Sequence, residues 1–404
     1  MATQDVVTMA HGGGGRLSQE LIAEFFAQAY GNEILASGDD AAVLDVLTAA
    51  APGLAVHAEH PALRSNTAGA HGKKDTALAP GSRLAFSTDS YVISPHFFAG
   101  GDIGRLAVCG TVNDVCTAGA KPLYLALGFI LEEGFLLSDL RRVCASIAAA
   151  ASEADVLITT GDTKVVERGK GDGIYINSTG IGIVPTDVEL SGKNCQHGDA
   201  ILLSGTIGDH GITIISARRG LGFSTPLKSD VAPLNTLVAH VLAKAPNTRC
   251  FRDPTRGGVA STLNELACQS NTAIVIEEQA VPIKPAVRGA CDMLGYDPLQ
   301  VANEGKMIAV VPQDEVDAAL WAMRNSPYGQ DAALIGEVIV PTDQNRAVSG
   351  DNLAGPTAAA THKITAGENS QPQALLPSRA YVRTGFGSLR IMDMLTGEQL
   401  PRIC

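Results

Sequence analysis

Short apolar runs alternate with amphipathic segments along most of the chain, and this alternation predicts an α/β (α+β) fold rather than a helical bundle or a β-sandwich. Compact runs rich in Val, Ile and Leu predict strands at 84–88, 123–130, 156–159, 174–184, 200–204, 273–276, 306–311 and 333–340. Apolar residues at helical spacing predict helices at 103–118, 137–154, 235–244, 259–269, 284–294 and 315–324. A further helical face, closed by Gly31, is formed by Leu17, Leu21, Ile22, Phe25, Phe26 and Ala29.

Two stretches, 48–82 and 341–378, depart from this pattern. Both are rich in Ala, Pro, Gly, Ser, Thr and Asn and lack an apolar period, which is typical of flexible insertions or linkers. The polar segment 185–199 follows a long predicted strand and is the best candidate for a domain boundary. These breaks predict an N-terminal α/β domain at 1–184, a C-terminal α/β domain at 185–340 and a tail at 379–404.

The composition is that of an ordinary globular chain, with 404 residues, 45% hydrophobic content and a formal net charge of -12. No cluster of Lys and Arg forms a basic stripe, so a nucleic-acid partner is not expected. The chain has no signal-like start and no apolar run near the roughly 20 residues that a membrane helix needs. We therefore expect a cytoplasmic protein without a membrane partner.

The sequence ends in a thiol, because its last residues are Pro401-Arg402-Ile403-Cys404. Terminal residues stay mobile unless another part of the structure holds them, and a thiolate is a strong nucleophile. Cys404 could therefore receive a chemical group at one location and give it up at another. The alternative is an incidental terminal cysteine. The eight cysteines contain no CxxC pair, so neither a zinc site nor a disulfide framework is predicted.

Acidic residues recur where predicted strands end in short turns. They occur in Gly38-Asp39-Asp40, Thr88-Asp89, Asn113-Asp114, Gly161-Asp162-Thr163 and Gly208-Asp209. Carboxylates that converge from several turns are what Mg²⁺ needs when it bridges a protein to nucleotide phosphates. At any single site an ordinary turn is the alternative, since Asp and Gly are common turn residues. The recurrence favours a nucleotide site with Mg²⁺.

Two glycine-rich segments precede predicted helices and are candidates for binding phosphate. The first includes Gly13 and Gly14, whose backbone N–H groups could approach an anion. A floppy N-terminal lead is the alternative, and no Walker A sequence follows. The second contains Arg256, whose guanidinium could bind a phosphate or a carboxylate. Its Asp253 is alternatively the N-cap of the following helix.

Lys164 and Glu304 are charged residues in glycine-containing segments with no routine structural purpose. If both face one pocket, Glu304 could accept a proton while Lys164 polarises or neutralises the reacting group. The alternative for each is a solvated surface ion pair.

Together these motifs resemble those of the HypE family of hydrogenase maturation factors, called carbamoyl dehydratases, within the superfamily of aminoimidazole ribonucleotide synthetase and selenophosphate synthetase. The resemblance follows the order of the chain and covers nearly all of it. It rests on AHGGGG at 10–15, GDDAAV at 38–43, STDS at 87–90, the block at 104–125, TGDTKVV at 160–166, RDPTRGGVA at 252–260, NEGK at 303–306 and GEQLPRIC at 397–404. The terminal PRIC is the most specific, since ATP-using relatives share most of the others loosely and lack the cysteine.

The resemblance implies that a carbamoyltransferase, HypF, places a carbamoyl group on Cys404 and that this enzyme dehydrates it to an S-cyanide with ATP. The cyanide would then pass to iron held by HypC and HypD, for a nickel-iron hydrogenase. The tail would alternate between a docked and an undocked state, with nucleotide favouring the docked one.

The resemblance also implies roles for individual residues. Cys404, Glu304 and Lys164 would be catalytic, and Mg²⁺ would be held by Asp40, Asp89 and Asp162. The nucleotide would be bound by these aspartates together with Asn113, Asp114, Thr163, Gly13, Gly14 and Arg256. The implied fold has two α/β domains, with a homodimer built through the N-terminal sheets.

Two other functions remain open. One is a kinase or synthetase of the same superfamily that acts on a free small molecule, such as a thiamine phosphate or selenide. The other is a carrier or scaffold for metallocentre assembly without catalysis of its own. The kinase would not need Cys404, and the scaffold would not consume ATP on a carbamoylated Cys404, so these two requirements separate the three functions.

Overall fold

The computed structural model describes residues 6–7, 22–32, 83–221, 227–339, 377–394 and 402–404. Within them the predicted α/β architecture is confirmed, since the chain forms a four-stranded and a seven-stranded sheet with helices packed against them. Gly13, Gly14 and Asp40 lie outside the described residues, as do the proposed insertion at 48–82 and nearly all of that at 341–378. None of the described helices is both long enough and apolar enough to cross a membrane.

The four-stranded sheet belongs to the N-terminal half. The strands of this half are β1 (Arg83–Tyr91), β2 (Phe97–Phe98), β3 (Gly101–Asp102), β4 (Lys121–Glu132), β5 (Leu157–Val166) and β6 (Ile174–Val184). The sheet order is β1-β6-β4-β5, with β4 and β5 parallel and β6 antiparallel to both of its neighbours. Helix α1 (Ile103–Thr117) packs on β1 and β6, and α2 (Leu137–Glu153) packs on α1. A π-helix at Ile22–Ala27, continued as an α-helix at Gln28–Tyr30, lies against α2.

The two faces of this sheet differ because successive strand residues point to opposite sides. On β1, Asp89 and Tyr91 point toward α1. They are more buried than Thr88 and Ser90, which alternate with them and point to the other side. The side turned away from α1 is called the outer face here. Its exposed apolar residues are Leu84, Phe86, Ile130 and Leu157.

The seven-stranded sheet belongs to the C-terminal half and has the order β13-β12-β9-β11-β7-β10-β8. Its strands are β7 (Ala200–Leu203), β8 (Cys250–Arg252), β9 (Ala273–Glu277), β10 (Ile308–Val311), β11 (Ala333–Ile339), β12 (Ala380–Arg383) and β13 (Leu389–Ile391). Its helices are α3 (Asp209–Arg219), α4 (Asn235–Lys244), α5 (Gly258–Ser270), α6 (Pro285–Leu294) and α7 (Val316–Arg324). Because α1 also contacts α4 and β8, it lies between the two halves.

Most of the aspartate motifs do not lie in turns, contrary to the expectation from sequence. Asp89 is inside β1, Asp114 is inside α1, and Asp162 is inside β5, which continues to Val166 rather than ending at Thr159. At Gly208-Asp209, Gly208 is the N-cap of α3 with a φ of 79°, and Asp209 is the first residue of that helix. Strands and helices thus carry the acidic residues of those motifs that the structure describes.

Two further predictions were wrong. Helix α3 was not among the predicted helices, and Ile-Thr-Ile-Ile in its middle has β-branched residues that favour strands. It also placed residues from 379 onward in a tail, whereas β12 pairs in parallel with β9 and β13 pairs with β12. The sheet therefore extends to Ile391, and the tail is shorter than predicted.

Candidate functional site

The last three residues of the chain are docked against the segment that follows β1. The backbone N–H of Val92 donates to the carbonyl of Cys404 at 3.0 Å, and that of Ser94 donates to the carbonyl of Arg402 at 3.3 Å. The Arg402 Nε donates in turn to the Val92 carbonyl at 3.2 Å. Cys404 is only 8% exposed. The thiol at the end of the chain is thus held inside the protein, as the docked state of the tail requires.

Side chains from both halves of the molecule hold the same three residues. Arg402 forms an ion pair with Asp172, and Arg218 donates to the Arg402 carbonyl. The Nε2 of His210 lies 2.8 Å from the carbonyl of Ile403, whose own side chain is fully buried. The docked tail therefore lies at the junction of the N-terminal and C-terminal halves.

Glu304 is a buried carboxyl group on the C-terminal side of this junction, only 3% exposed. Burial raises the pKa of Glu304 well above its ordinary value, and neighbouring carboxylates add to the rise. These carboxylates are Asp253, Asp230, Asp89 and Asp114. One oxygen of Glu304, Oε1, has no hydrogen-bond partner among the residues that the structure describes. A carboxyl group in this environment is suited to exchange a proton with a bound group.

Asp114 and Asp253 belong to the same buried acidic group. Burial raises the pKa of Asp114 to about 7, and the charge of Asp253 adds to the rise, while the Ser87 hydroxyl donates to Asp114 at 3.0 Å and opposes it. Burial likewise raises the pKa of Asp253. Burial is thus the main cause of the raised pKa values of these carboxyl groups, and the charges of neighbouring carboxylates add to it.

A lysine and a further aspartate complete this region. The backbone N–H of Glu304 donates to Asp230 Oδ1 at 3.1 Å, and the Lys306 ammonium lies 3.4 Å from Asp230 Oδ2. Sequence reasoning missed both Asp230 and His210 as site residues. The NEGK motif already contained Lys306, and His210 follows Gly208-Asp209, but no local pattern points to Asp230.

Lys164 and Asp162 lie elsewhere, on the outer face of the N-terminal sheet. Their side chains are 65% and 68% exposed and form an ion pair at 2.6 Å. The hydrogen bond from Lys164 lowers the pKa of Asp162. Asp162 pairs in register with Gly128, and Thr163 beside it points to the other face. Within one copy of the described chain, Lys164 therefore does not face Glu304, and Asp162 does not join Asp89.

Asn113 joins the two halves of the molecule. Its side-chain nitrogen donates to the Ala232 carbonyl at 3.0 Å, and its oxygen accepts from the Leu234 N–H at 2.8 Å. The side chain is 2% exposed. These contacts fix the position of α1, and thus of Asp114, against the C-terminal half.

The turn before α5 is open at the helix N-terminus. The N-cap is Gly257, with a φ of 77°, and no side chain caps the helix, so the alternative role of Asp253 as an N-cap was wrong. Arg256 is exposed next to this end. Uncapped N–H groups beside an arginine are suited to bind phosphate.

Within the ranges that the structure covers, no three His, Cys, Asp or Glu side chains are arranged to hold a metal ion by themselves. A divalent cation at the acidic group would need additional oxygen ligands, which nucleotide phosphates supply. The residues present thus fit Mg²⁺ together with a nucleotide better than Mg²⁺ alone.

The family described as AIR synthase related protein, N-terminal domain, matches residues 38–184, and the corresponding C-terminal domain family matches residues 196–348. Among curated proteins, the carbamoyl dehydratase HypE of Cupriavidus necator is 46% identical over 398 residues, which are 98% of this chain and 95% of that protein.

Solved structures give the same result. A hydrogenase maturation protein HypE in complex with ATP is 42% identical, with a TM-score of 0.79 over 98% of this chain and 99% of that one. A chain of a HypE-HypF complex is 39% identical, with a TM-score of 0.67 over 93% and 99%. The chain therefore belongs to the carbamoyl dehydratase HypE family of hydrogenase maturation proteins, as its motifs implied.

Proposed function

We propose that this protein dehydrates an S-carbamoyl group on Cys404 to an S-cyanide at the expense of ATP. The observation that carries the proposal is the docked tail. It holds Cys404 inside the protein, and Asp230 links the two regions because its charge acts both on His210, which binds the tail, and on Glu304. A buried tail also keeps the reacting group away from water.

The chemistry requires loss of an amide oxygen and of two N–H protons. ATP, when bound, supplies the phosphoryl group that turns this oxygen into a leaving group. One N–H proton leaves as the oxygen is phosphorylated and ADP is released, and Glu304 then accepts the second from the amide nitrogen as phosphate departs and the C≡N bond forms. A carboxylate with a raised pKa is a stronger base than an ordinary one, which suits this step.

The nucleotide would bind between the acidic group and the open N-terminus of α5. Asp114 and Arg256 lie on these two sides, and Thr163 lies on β5, beside Lys164. Mg²⁺ would be held by Asp89 with Asp162 and Asp40, of which Asp40 lies outside the described residues together with Gly13 and Gly14. Asn113 would act by holding α1 in place.

A homodimer built on the outer face would explain the position of Lys164. The exposed apolar residues of this face would be covered by a second copy. β1 and β5 are the two edges of the sheet, so a two-fold axis along the strands would lay β5 of one copy over β1 of the other. Lys164 and Asp162 of one copy would then approach the β1 edge of the other copy, the strand that carries Asp89.

The proposed reaction also requires partner proteins. A solved HypE-HypF complex exists for a relative. We propose that a HypF carbamoyltransferase loads Cys404 of this chain and that a HypC-HypD complex with bound iron takes the cyanide. Both steps need the tail undocked.

The test is intact mass spectrometry of the protein after incubation with HypF, carbamoyl phosphate and ATP. The wild type should gain a carbamoyl group and then lose the mass of one water. Cys404→Ala should gain nothing, and Glu304→Gln should keep the carbamoyl group. ATP consumption on a free small molecule without any adduct on Cys404 would instead establish a kinase.

A further inference from the structure

The carbonyl groups of the three tail residues all accept hydrogen bonds. Backbone N–H groups next to β1 bind the first and third of them, at Arg402 and Cys404. Side chains of α3 bind as well: His210 binds the Ile403 carbonyl, and Arg218 binds that of Arg402 together with that of Ser94. One helix of the C-terminal half thus provides two of the anchors.

The contacts of His210 determine which of its nitrogens carries the proton. Its Nδ1 lies 2.8 Å from the Ser229 hydroxyl, and that oxygen accepts from the Val231 N–H at 3.1 Å. The hydroxyl is therefore free to donate its hydrogen to Nδ1, which leaves the ring hydrogen on Nε2. Burial lowers the pKa of His210, which favours the neutral ring. Nε2–H then donates to the Ile403 carbonyl.

The surroundings of His210 keep the ring in this orientation. The ring is fully buried, and the Phe98 ring meets it edge to face at a centroid distance of 5.5 Å. A buried ring with both nitrogens bonded cannot turn without losing both bonds. Ser229 precedes Asp230, which binds the backbone of Glu304, so the same short segment joins the tail anchor to the proposed base.

We propose that His210 and Arg218 are positioning residues that hold Cys404 in its docked place for the dehydration. The proposal rests on the proposed function, because it concerns how the tail is held for that reaction. Neither residue needs to touch the reacting atoms. Each removes part of the freedom of the terminal thiol and so places it for the reaction.

Two variants of His210 separate tail binding from packing. In His210→Gln the amide nitrogen can occupy the place of Nε2 and still donate to the Ile403 carbonyl. In His210→Asn the shorter amide can bond Ser229 only. Arg218→Ala has a matched control in Arg219→Ala, since Arg219 is its neighbour on α3 and binds Tyr296 instead of the tail. His240→Asn makes the same substitution at a similar His-Ser pair, with Ser326, away from the tail.

The readout is the rate at which N-ethylmaleimide alkylates Cys404, measured by peptide mass spectrometry on the full chain. Cys268 is exposed and serves as an internal control in the same molecule. We expect His210→Asn and Arg218→Ala each to raise the Cys404 rate by about 2- to 10-fold, the effect of losing one hydrogen bond. The rate at Cys268 should not change. His210→Gln and both control variants should behave as the wild type.

Equal Cys404 rates in His210→Asn and His210→Gln would overturn the role of His210, and a wild-type rate in Arg218→Ala would overturn that of Arg218. A parallel rise at Cys404 and at buried thiols such as Cys109 would show general loosening and would also overturn the proposal. Failure of the proposed function looks different: the wild type, with its tail protected from alkylation, would not lose water from a carbamoylated Cys404.

Discussion

Two regions of the molecule share a local sequence pattern, an acid followed two residues later by a lysine, but place it in opposite environments. Asp162 and Lys164 form an exposed ion pair, and the pKa of Asp162 is lowered. Glu304 is buried, its pKa is raised, and Lys306 turns to Asp230 instead. The same pattern therefore favours the charged carboxylate at Asp162 and the protonated carboxyl group at Glu304.

The backbone explains this difference. In a strand such as β5, residues two apart share a face, so Asp162 and Lys164 meet. Glu304 is not in a strand, and the next residue, Gly305, packs against Asp230. A Cβ at Gly305 would lie 1.8 Å from the Asp230 carbonyl oxygen. The close approach directs Lys306 to Asp230 and leaves Glu304 among carboxylates.

The largest effect is expected for Glu304→Gln, which removes the proposed proton acceptor but keeps the shape of the side chain. We expect the rate of dehydration of the carbamoylated tail to fall by about 10²- to 10⁴-fold, as for other lost general bases. Single-turnover mass spectrometry measures this rate. Alkylation of Cys404 at the wild-type rate would confirm that the tail still docks. A rate within a few-fold of the wild type would contradict the role of Glu304.

The second prediction tests whether the two regions work together across a dimer. Lys164→Ala chains and Glu304→Gln chains should each be inactive alone. If Lys164 acts on the site of the other copy, equal mixing with subunit exchange should restore about a quarter of the sites, since half of the dimers are mixed and each has one intact site. Dehydration assays of the mixture measure this. No recovery after confirmed exchange would place both residues in one chain or show that Lys164 has another role.

The third prediction contrasts the pH dependence of Asp114 with that of Asp162. The pKa of Asp114 is raised to about 7, so the folded state binds its proton more tightly than the unfolded state. Its contribution to stability is full below about pH 4 and is lost as the pH rises to about 7, with a slope of up to about 1.4 kcal/mol per pH unit. Asp114→Asn should flatten this fall in urea titrations of the nucleotide-free protein.

Asp162→Asn is the control for this experiment. The pKa of Asp162 is lowered, so the contribution of Asp162 to stability is present above the ordinary pKa of an aspartate and is lost as the pH falls. The two variants should therefore change the pH dependence in opposite directions. The same direction for both would contradict the contrast between the regions.

A smaller effect is expected for Gly305→Ala, which places a methyl group against the Asp230 carbonyl. We expect a loss of about 1 to 3 kcal/mol in the free energy of unfolding, since the backbone must move. The control is Gly289→Ala on α6, where a Cβ would meet nothing within 4 Å. That variant should gain about 0.5 to 1 kcal/mol. Thermal unfolding of both variants checks the difference, and equal values would show that the approach at Gly305 is not tight.

The smallest effect is expected for the exposed ion pair. Lys164→Ala should change the free energy of unfolding by less than about 1 kcal/mol, because solvent screens exposed pairs. Urea unfolding at low and high salt measures this. A loss of several kcal/mol would indicate that the pair is buried in the folded protein, for example in the proposed dimer.

The sequence predicted the elements with strong periodicity well. The predicted helix at 235–244 and strand at 174–184 agree with α4 and β6, and the helices at 103–118 and 137–154 agree with α1 and α2 to one residue. The site was harder to predict because its contacts join distant parts of the chain. His210 meets Ile403 across 193 positions, and Glu304 meets Asp230 across 74. No local pattern carries such contacts.

The docked tail also determines how a partner meets the protein. Residues 395–401 are a short connection between the end of the C-terminal sheet and the last three residues of the chain. The effective concentration of the tail at its binding place is therefore about millimolar. A partner that binds the undocked tail competes with this intramolecular docking. Its apparent affinity equals its affinity for the undocked tail multiplied by the fraction of chains in which the tail is undocked. A free peptide with the same terminal sequence should therefore bind such a partner more tightly than the intact chain does.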